Sequence, residues 1–234
     1  MSERIGPDTV LPARREAVTL TTEDGLSLVG ELALPADRDP RATVVLLHPN
    51  PLGGGSMDTH LIRKAAFRLP ALAGLATLRF NTRGTASEAG RSEGEHDHCG
   101  AERHDLAAAV DFVKDLPDIW LAGWSFGTDL ALMHGIDPRV RGAFLMAPPL
   151  RRAEPAHLDA WAESGKPVRA LIPEFDDYLR PDAARTAFDA IPQAEVIAVD
   201  GAKHLFVGYA EDVLDSLVDL VAPEVSTPLP RHWR

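Results

Sequence analysis

Leu121-Ala122-Gly123-Trp124-Ser125-Phe126-Gly127-Thr128-Asp129-Leu130-Ala131-Leu132 is the stretch on which the fold is decided. It joins an apolar run at 119–123, with the character of a buried strand, to a segment of helical periodicity that begins at Ser125 and reaches about His134. At the junction stands the frame Gly-x-Ser-x-Gly. A sharp turn from strand to helix strains the backbone of the central serine, and small flanking residues let neighbouring chains pass closely, so that Oγ is left exposed. The bland alternative is that Ser125 caps a helix, a role serine often fills. The surroundings have to separate the two.

Outward from this stretch, strands and helices alternate. Residues 16–34 give two alternating stretches around Asp24-Gly25, which predicts a hairpin of half-buried strands. Residues 43–48, Thr-Val-Val-Leu-Leu-His, form an uninterrupted apolar run suited to a strand covered on both faces. A helix is expected over 57–69 with Pro70 as its stop, then a strand over 76–81 and a long aperiodic loop over 82–100. Further helices are expected at 102–114, 156–162, 181–190 and 207–220, with strands at 140–146, 168–173 and 194–199. Such alternation implies βαβ units and a parallel sheet. The reading is therefore α/β: a mostly parallel sheet with an N-terminal antiparallel hairpin, helices on both faces and no cap domain. Residues 1–15 read as an extension, 16–221 as the domain, and the Pro-rich 222–234 as a flexible tail.

A serine hydroxyl is a poor nucleophile until a base takes its proton, and histidine does this best when an acid fixes its tautomer. Both partners follow downstream. Asp176 and Asp177 come after the strand at 168–173, and His204 after the strand at 194–199, preceded by Asp200. The order Ser, Asp, His, each at the C-terminal end of a strand region, is where open α/β sheets place their sites.

Composition narrows the classes. The 234 residues are 45% hydrophobic and carry a formal charge of -11, which disfavours nucleic acid and anionic membranes as partners. A single cysteine, Cys99, excludes an intramolecular disulfide, and no apolar run approaches a membrane span. A soluble, cytoplasmic protein is expected, while oligomeric state is not legible in one chain.

Taken together, residues 48–58 (HPNPLGGGSMD), 79–95 (RFNTRGTASEAGRSEGE), GWSFG, EFDDY and GAKH stand in an order that resembles the α/β-hydrolase superfamily from about residue 16 to 220. The likeness is to small, lidless bacterial hydrolases related to dienelactone hydrolases and to serine esterase and peptidase catalytic domains. It implies a serine hydrolase acting on a small-molecule ester or related acyl substrate through an acyl-enzyme, without cofactor or metal. It implies Ser125 as nucleophile, His204 as base and Asp176 as acid, with Asp177 and Asp200 as alternatives. Phe126 N–H is the implied first oxyanion donor. Pro49 and Pro51 have no N–H to offer, so Asn50 is preferred as the second donor and Leu52 is the alternative. Leu52, Trp124, Leu205 and Phe206 are expected to shape an open cleft, although Trp124 is equally suited to packing beneath the turn. Arg83 is expected to brace its loop through carbonyls. A perhydrolase or peptidase-like acyl transferase would use the same triad, and a binding module retaining the fold is the non-enzymatic alternative.

Two tempting features are set aside. His96, Asp97, His98, Cys99, Glu102 and His104 include every common ligand type, but their spacing matches no usual zinc pattern and suits a solvated loop entering a helix. Gly53-Gly54-Gly55-Ser56 has no following Gly-Lys-[Ser/Thr], so it is not read as a phosphate cradle.

Overall fold

Every residue of the strands at Thr43–Leu47, Ala76–Phe80 and Ile119–Trp124 is buried, as an apolar run flanked on both faces requires. They lie at the centre of an eight-stranded sheet in a computed structural model that describes residues 3–233. We number the strands β1 (Ala13–Thr21), β2 (Ser27–Pro35), β3 (Thr43–Leu47), β4 (Ala76–Phe80), β5 (Ile119–Trp124), β6 (Val140–Met146), β7 (Val168–Pro173) and β8 (Ala194–Val199). Their spatial order is β8-β7-β6-β5-β3-β4-β2-β1. The hairpin pairs Ala13 with Pro35 and Thr21 with Ser27, and β2 is antiparallel to β4; the remaining neighbours are parallel. Strand order reverses at β3, which opens a crevice at the C-terminal ends of β3 and β5.

Among the described residues six α-helices cover the sheet: α1 (His60–Ala73), α2 (Glu102–Phe112), α3 (Phe126–His134), α4 (Pro155–Ser164), α5 (Pro181–Phe188) and α6 (Ala210–Val221). The period of two along a strand divides the core. Val45, Leu47 and Leu121 face α2 and α3, whereas Val44, Leu46 and Ala122 face α1 and α6. Between β6 and β7 the chain makes only α4, which packs on α3, where Trp161 Nε1 donates to Leu132 O at 3.1 Å. Among the described residues no helix is long and apolar enough to cross a membrane.

Three expectations require correction. Helix α1 does not stop at Pro70 but runs through it to Ala73, where Gly74 caps it at φ 67°. Proline leaves the carbonyl four residues earlier without its helical donor. Arg15 Nη1 reaches Ala66 O at 3.0 Å, and Leu11 N takes the next carbonyl, Phe67 O, at 3.0 Å. The tail does not fray either: Leu229 is buried, its N–H donates to Asp215 Oδ1 at 2.8 Å, and His232–Trp233 pairs antiparallel with Glu3–Arg4. Within the long loop, Ala86–Ser87 and Gly90–Arg91 form a small hairpin.

Arg83 braces its loop through carboxylates instead of carbonyls. Its Nε and Nη2 reach Asp105 Oδ1 at 2.9 and 2.7 Å, its own N–H donates to Asp105 Oδ2 at 2.7 Å, and Nη1 and Nη2 fork onto Asp24 at 2.9 and 3.1 Å. The β1–β2 turn is thereby tied to α2. Burial pushes the Asp105 carboxyl upward against the pull of Arg83, so the pair is stable only when complete. Replacing Arg83→Gln is expected to destabilise the fold by about 3 kcal/mol, since it strands the fully buried Asp105 charge. The denaturation midpoint in urea measures this, and a midpoint equal to wild type would refute it.

Candidate active site

Strand β5 ends at Trp124, α3 opens at Phe126, and the residue between them takes φ 52° and ψ −115°. A positive φ is costly for serine and persists only where neighbours enforce it. Here Ser125 N donates to Met146 O at 2.9 Å, while Ser125 O accepts from Thr128 N at 2.8 Å and Thr128 Oγ1 at 2.6 Å. The flanking glycines are obligatory for the close approach. A Cβ on Gly123 would run into the Gly127 carbonyl, and one on Gly127 into the main chain at Leu47 of β3. The side chain of Ser125 makes no capping bond to α3, which removes the helix-cap alternative.

Instead Ser125 Oγ lies 2.9 Å from His204 Nε2, and His204 Nδ1 lies 2.9 Å from Asp176 Oδ2. Asp176 is buried just beyond β7, and its other oxygen accepts from Tyr178 N at 2.7 Å and Leu179 N at 3.2 Å. Asp177 and Asp200 are exposed, and of the three acids it is Asp176 that is hydrogen-bonded to the histidine. The Tyr178 ring packs edge-on against His204 with centroids 4.6 Å apart. From below, Trp124 Nε1 donates to His204 O at 3.2 Å and steadies the loop that carries the imidazole.

The loop after β3 supplies the opposite wall. His48 is buried, with its Nδ1–H directed to Pro49 O at 2.7 Å and its Nε2 accepting from Thr82 N at 3.1 Å. Asn50 Oδ1 accepts from Leu52 N at 3.1 Å, and Asn50 O accepts from Gly53 N and Gly55 N at 3.0 and 2.9 Å. Leu52 N is thus already engaged. Among the described residues the N–H groups of Asn50 and Phe126 meet no protein acceptor, and both residues border the same cavity as Ser125.

That cavity has a volume of about 200 Å³ and is walled by Asn50, Ser125, Phe126, Asp129, Pro149 and Tyr178, with His96, His98, Arg151 and Arg152. The expected walls differ. Trp124 and Phe206 are fully buried on the α1 and α6 side of the sheet, so neither lines the cleft. Leu52 and Leu205 are 69% and 56% exposed and lie outside the cavity lining. The parity of β5 explains Trp124: the residue before the turn faces away from α3. The basic residues 151 and 152 and the two histidines were missed as cavity walls. Their only sequence signal was position, directly after a buried strand or within the long loop.

The histidine-rich loop takes a structural form. Among the described residues no group of three His, Cys, Asp or Glu side chains could hold a metal ion. His96 Nδ1 lies 2.8 Å from Glu102 Oε1, and Glu102 Oε1 also accepts from Asp97 N at 2.7 Å. Burial pushes the Cys99 thiol well above its ordinary range, which keeps it protonated and unreactive.

Solved structures share this architecture. A lidless α/β serine hydrolase from Xanthomonas campestris is 23% identical with a TM-score of 0.75, covering 93% of this chain and 98% of its own. An α/β serine hydrolase homologue from Coxiella burnetii is 27% identical with a TM-score of 0.74, covering 88% and 97%. The Pyrococcus furiosus esterase Pf2001 is 19% identical with a TM-score of 0.74, covering 94% and 100%. No protein-family profile and no curated protein matches the sequence. The chain shares the α/β-hydrolase fold of these neighbours and is similar to lidless α/β serine hydrolases.

His48 yields a pH test. Burial pushes its imidazole down to about 4 from 6.5, against the smaller upward pull of the Pro49 carbonyl, so the folded state holds it neutral. The unfolded chain therefore binds a proton that the folded chain rejects between those values. Stability from this group is complete above pH 6.5 and is lost as pH falls toward about 4. Urea midpoints measured across that window are expected to fall less steeply in His48→Asn than in wild type; equal slopes would contradict the assignment.

Proposed function

We propose that this protein is a serine hydrolase that cleaves carboxylic esters or related acyl substrates through an acyl-enzyme intermediate. The observation that carries the reading is the continuous chain from Ser125 Oγ through His204 to Asp176, with both links at 2.9 Å. The serine hydrolase and the esterase among its structural neighbours support it.

In this reading His204 Nε2 takes the Ser125 proton as Oγ attacks the substrate carbonyl carbon. The carboxylate of Asp176 keeps the proton on Nδ1, so that Nε2 is the free base, and it balances the imidazolium that forms. Negative charge developing on the carbonyl oxygen is received by the N–H groups of Phe126 and Asn50, fixed before the reaction begins. His204 then protonates the departing alkoxide. A water, activated by the same Nε2, hydrolyses the acyl-serine and returns the hydroxyl. The cleft has no lid, and the cavity is small, which suits short acyl groups on a substrate otherwise open to solvent.

Intact-mass spectrometry after treatment with a fluorophosphonate is expected to give one adduct on wild type and none on Ser125→Ala. Hydrolysis of short-chain aryl esters is expected to fall about 10⁴-fold in Ser125→Ala and on the order of 10³-fold in Asp176→Asn. Asp177→Asn should retain wild-type turnover. A folded wild type that neither labels nor hydrolyses would overturn the proposal.

A further inference from the structure

One wall of the cavity beside Ser125 carries charge that an alkyl ester has no use for. The segment after β6 enters through positive φ at Ala147 and Leu150, 49° and 48°. It is then clamped by Asp129, which lies in the first turn of α3 and is 2% exposed. Its carboxylate accepts from Arg151 N at 3.3 Å and Ala153 N at 3.2 Å. A buried acid thus fixes the main chain of this loop, and both arginines border the cavity. Arg151 lies over the Tyr178 ring at 5.5 Å, the same ring that packs on His204.

Arg79, Arg83, Arg139 and Arg169 each pair with a carboxylate. Among the described residues Arg4, Arg14, Arg91, Arg103, Arg151, Arg152 and Arg180 have no carboxylate partner within ion-pair distance, and of these Arg151 and Arg152 line the cavity beside Ser125. Of the acids on this side, Asp129 is held by the loop N–H groups with the Arg152 charge nearby, and Glu102 Oε1 accepts from Asp97 N while its Oε2 has no partner among the described residues. Guanidinium forks held on a preset backbone match a planar carboxylate.

Resting on the serine hydrolase reading, we propose that the substrate is an ester bearing a second, anionic group, a carboxylate, which Arg151 and Arg152 receive while Asn50 and Phe126 hold the reacting carbonyl over Ser125. The carboxylate belongs either to the acyl part or to the leaving group, and two substrate pairs distinguish them. For the acyl side, the mono-para-nitrophenyl ester of glutaric acid is compared with para-nitrophenyl pentanoate, buffer hydrolysis subtracted. For the leaving-group side, para-acetoxybenzoate is compared with para-acetoxybenzamide.

In one of these pairs kcat/KM is expected to favour the anionic ester by about tenfold or more, as a charge-assisted contact allows. That preference should shrink as salt rises to about 0.5 M. Arg151→Gln and Arg152→Gln should each cut the preference, chiefly through KM, with part of it kept in the Lys variants, which hold the charge without the fork. Arg141→Gln, at the start of β6 and remote from the cavity, should keep it. A preference at or below unity in both pairs, from a protein that labels at Ser125 and turns over the neutral esters, overturns the anion site and leaves the hydrolase reading intact. Should Ser125 neither label nor act, calorimetric titration of the folded wild type with glutarate still decides the site. Saturable binding weakened in the Arg151→Gln, Arg152→Gln double variant supports it, and no binding overturns it.

Discussion

The rest of the site depends on one close passage, the approach of the turn at Ser125 to the end of β3. Gly127 has no Cβ, so the first turn of α3 lies directly on the main chain at Leu47, and Gly123 lets β5 fold against that same turn. Strand β3 continues from Leu47 into His48-Pro49-Asn50, while α3 begins with Phe126. The separation of the two free N–H groups is therefore set where two backbones touch, with no side chain between them to adjust it. Positive φ at Ser125 costs about 1–3 kcal/mol, and the fully buried central strands on both sides over-determine it. Strain is kept at the residue whose hydroxyl has to stand clear of the sheet.

Loops at the C-terminal ends of the strands are held differently from the strands themselves. Arg83 joins the hairpin turn to α2 through Asp24 and Asp105, Arg79 reaches Glu31 and Asp58, and Asp129 grips the segment that carries Arg151. Each tie places a charged group below a tenth exposure against partners from distant parts of the sequence. Buried ion pairs add little net stability, yet they penalise every alternative arrangement in which one member is left alone. Irregular segments that cannot bury a regular apolar face obtain a single conformation in this way.

This division explains what could be read from the sequence. The strands at 140–146, 168–173 and 194–199 were legible to the residue because β-branched apolar runs between helical segments have few other solutions. Ser125, Asp176 and His204 could be grouped because each follows such a run; the choice of Asp176 over Asp177 came from resemblance, and it is Asp176 that lies at hydrogen-bond distance from His204. Long-range compensation was not legible. Nothing near Pro70 indicates that Arg15 will take the freed Ala66 carbonyl, and nothing in residues 222–234 reveals that Asp215 will anchor Leu229. Trp124 was ambiguous because its facing depends on strand parity at the turn, which the motif alone does not specify.

Among the described residues no domain covers the cleft, which bears on the contacts it can offer. In a hydrolase with a lid, apolar surface closes over the acyl chain and burial supplies affinity. Here α4 is committed to α3 beneath the sheet through Trp161, and the residues bordering the cavity beyond Phe126, Pro149 and Tyr178 are largely polar. A long alkyl chain would find little apolar wall and would remain in water. In the proposed reading discrimination comes from directional contacts, which is the kind of contact a clamped loop can make and a mobile one cannot. The buried Asp129 sits one turn beyond Ser125 on α3, so the same helix that presents Phe126 N–H to the cavity also fixes the loop that faces it. In the proposed reaction, position of the reacting group and recognition of the remainder are set by one rigid element.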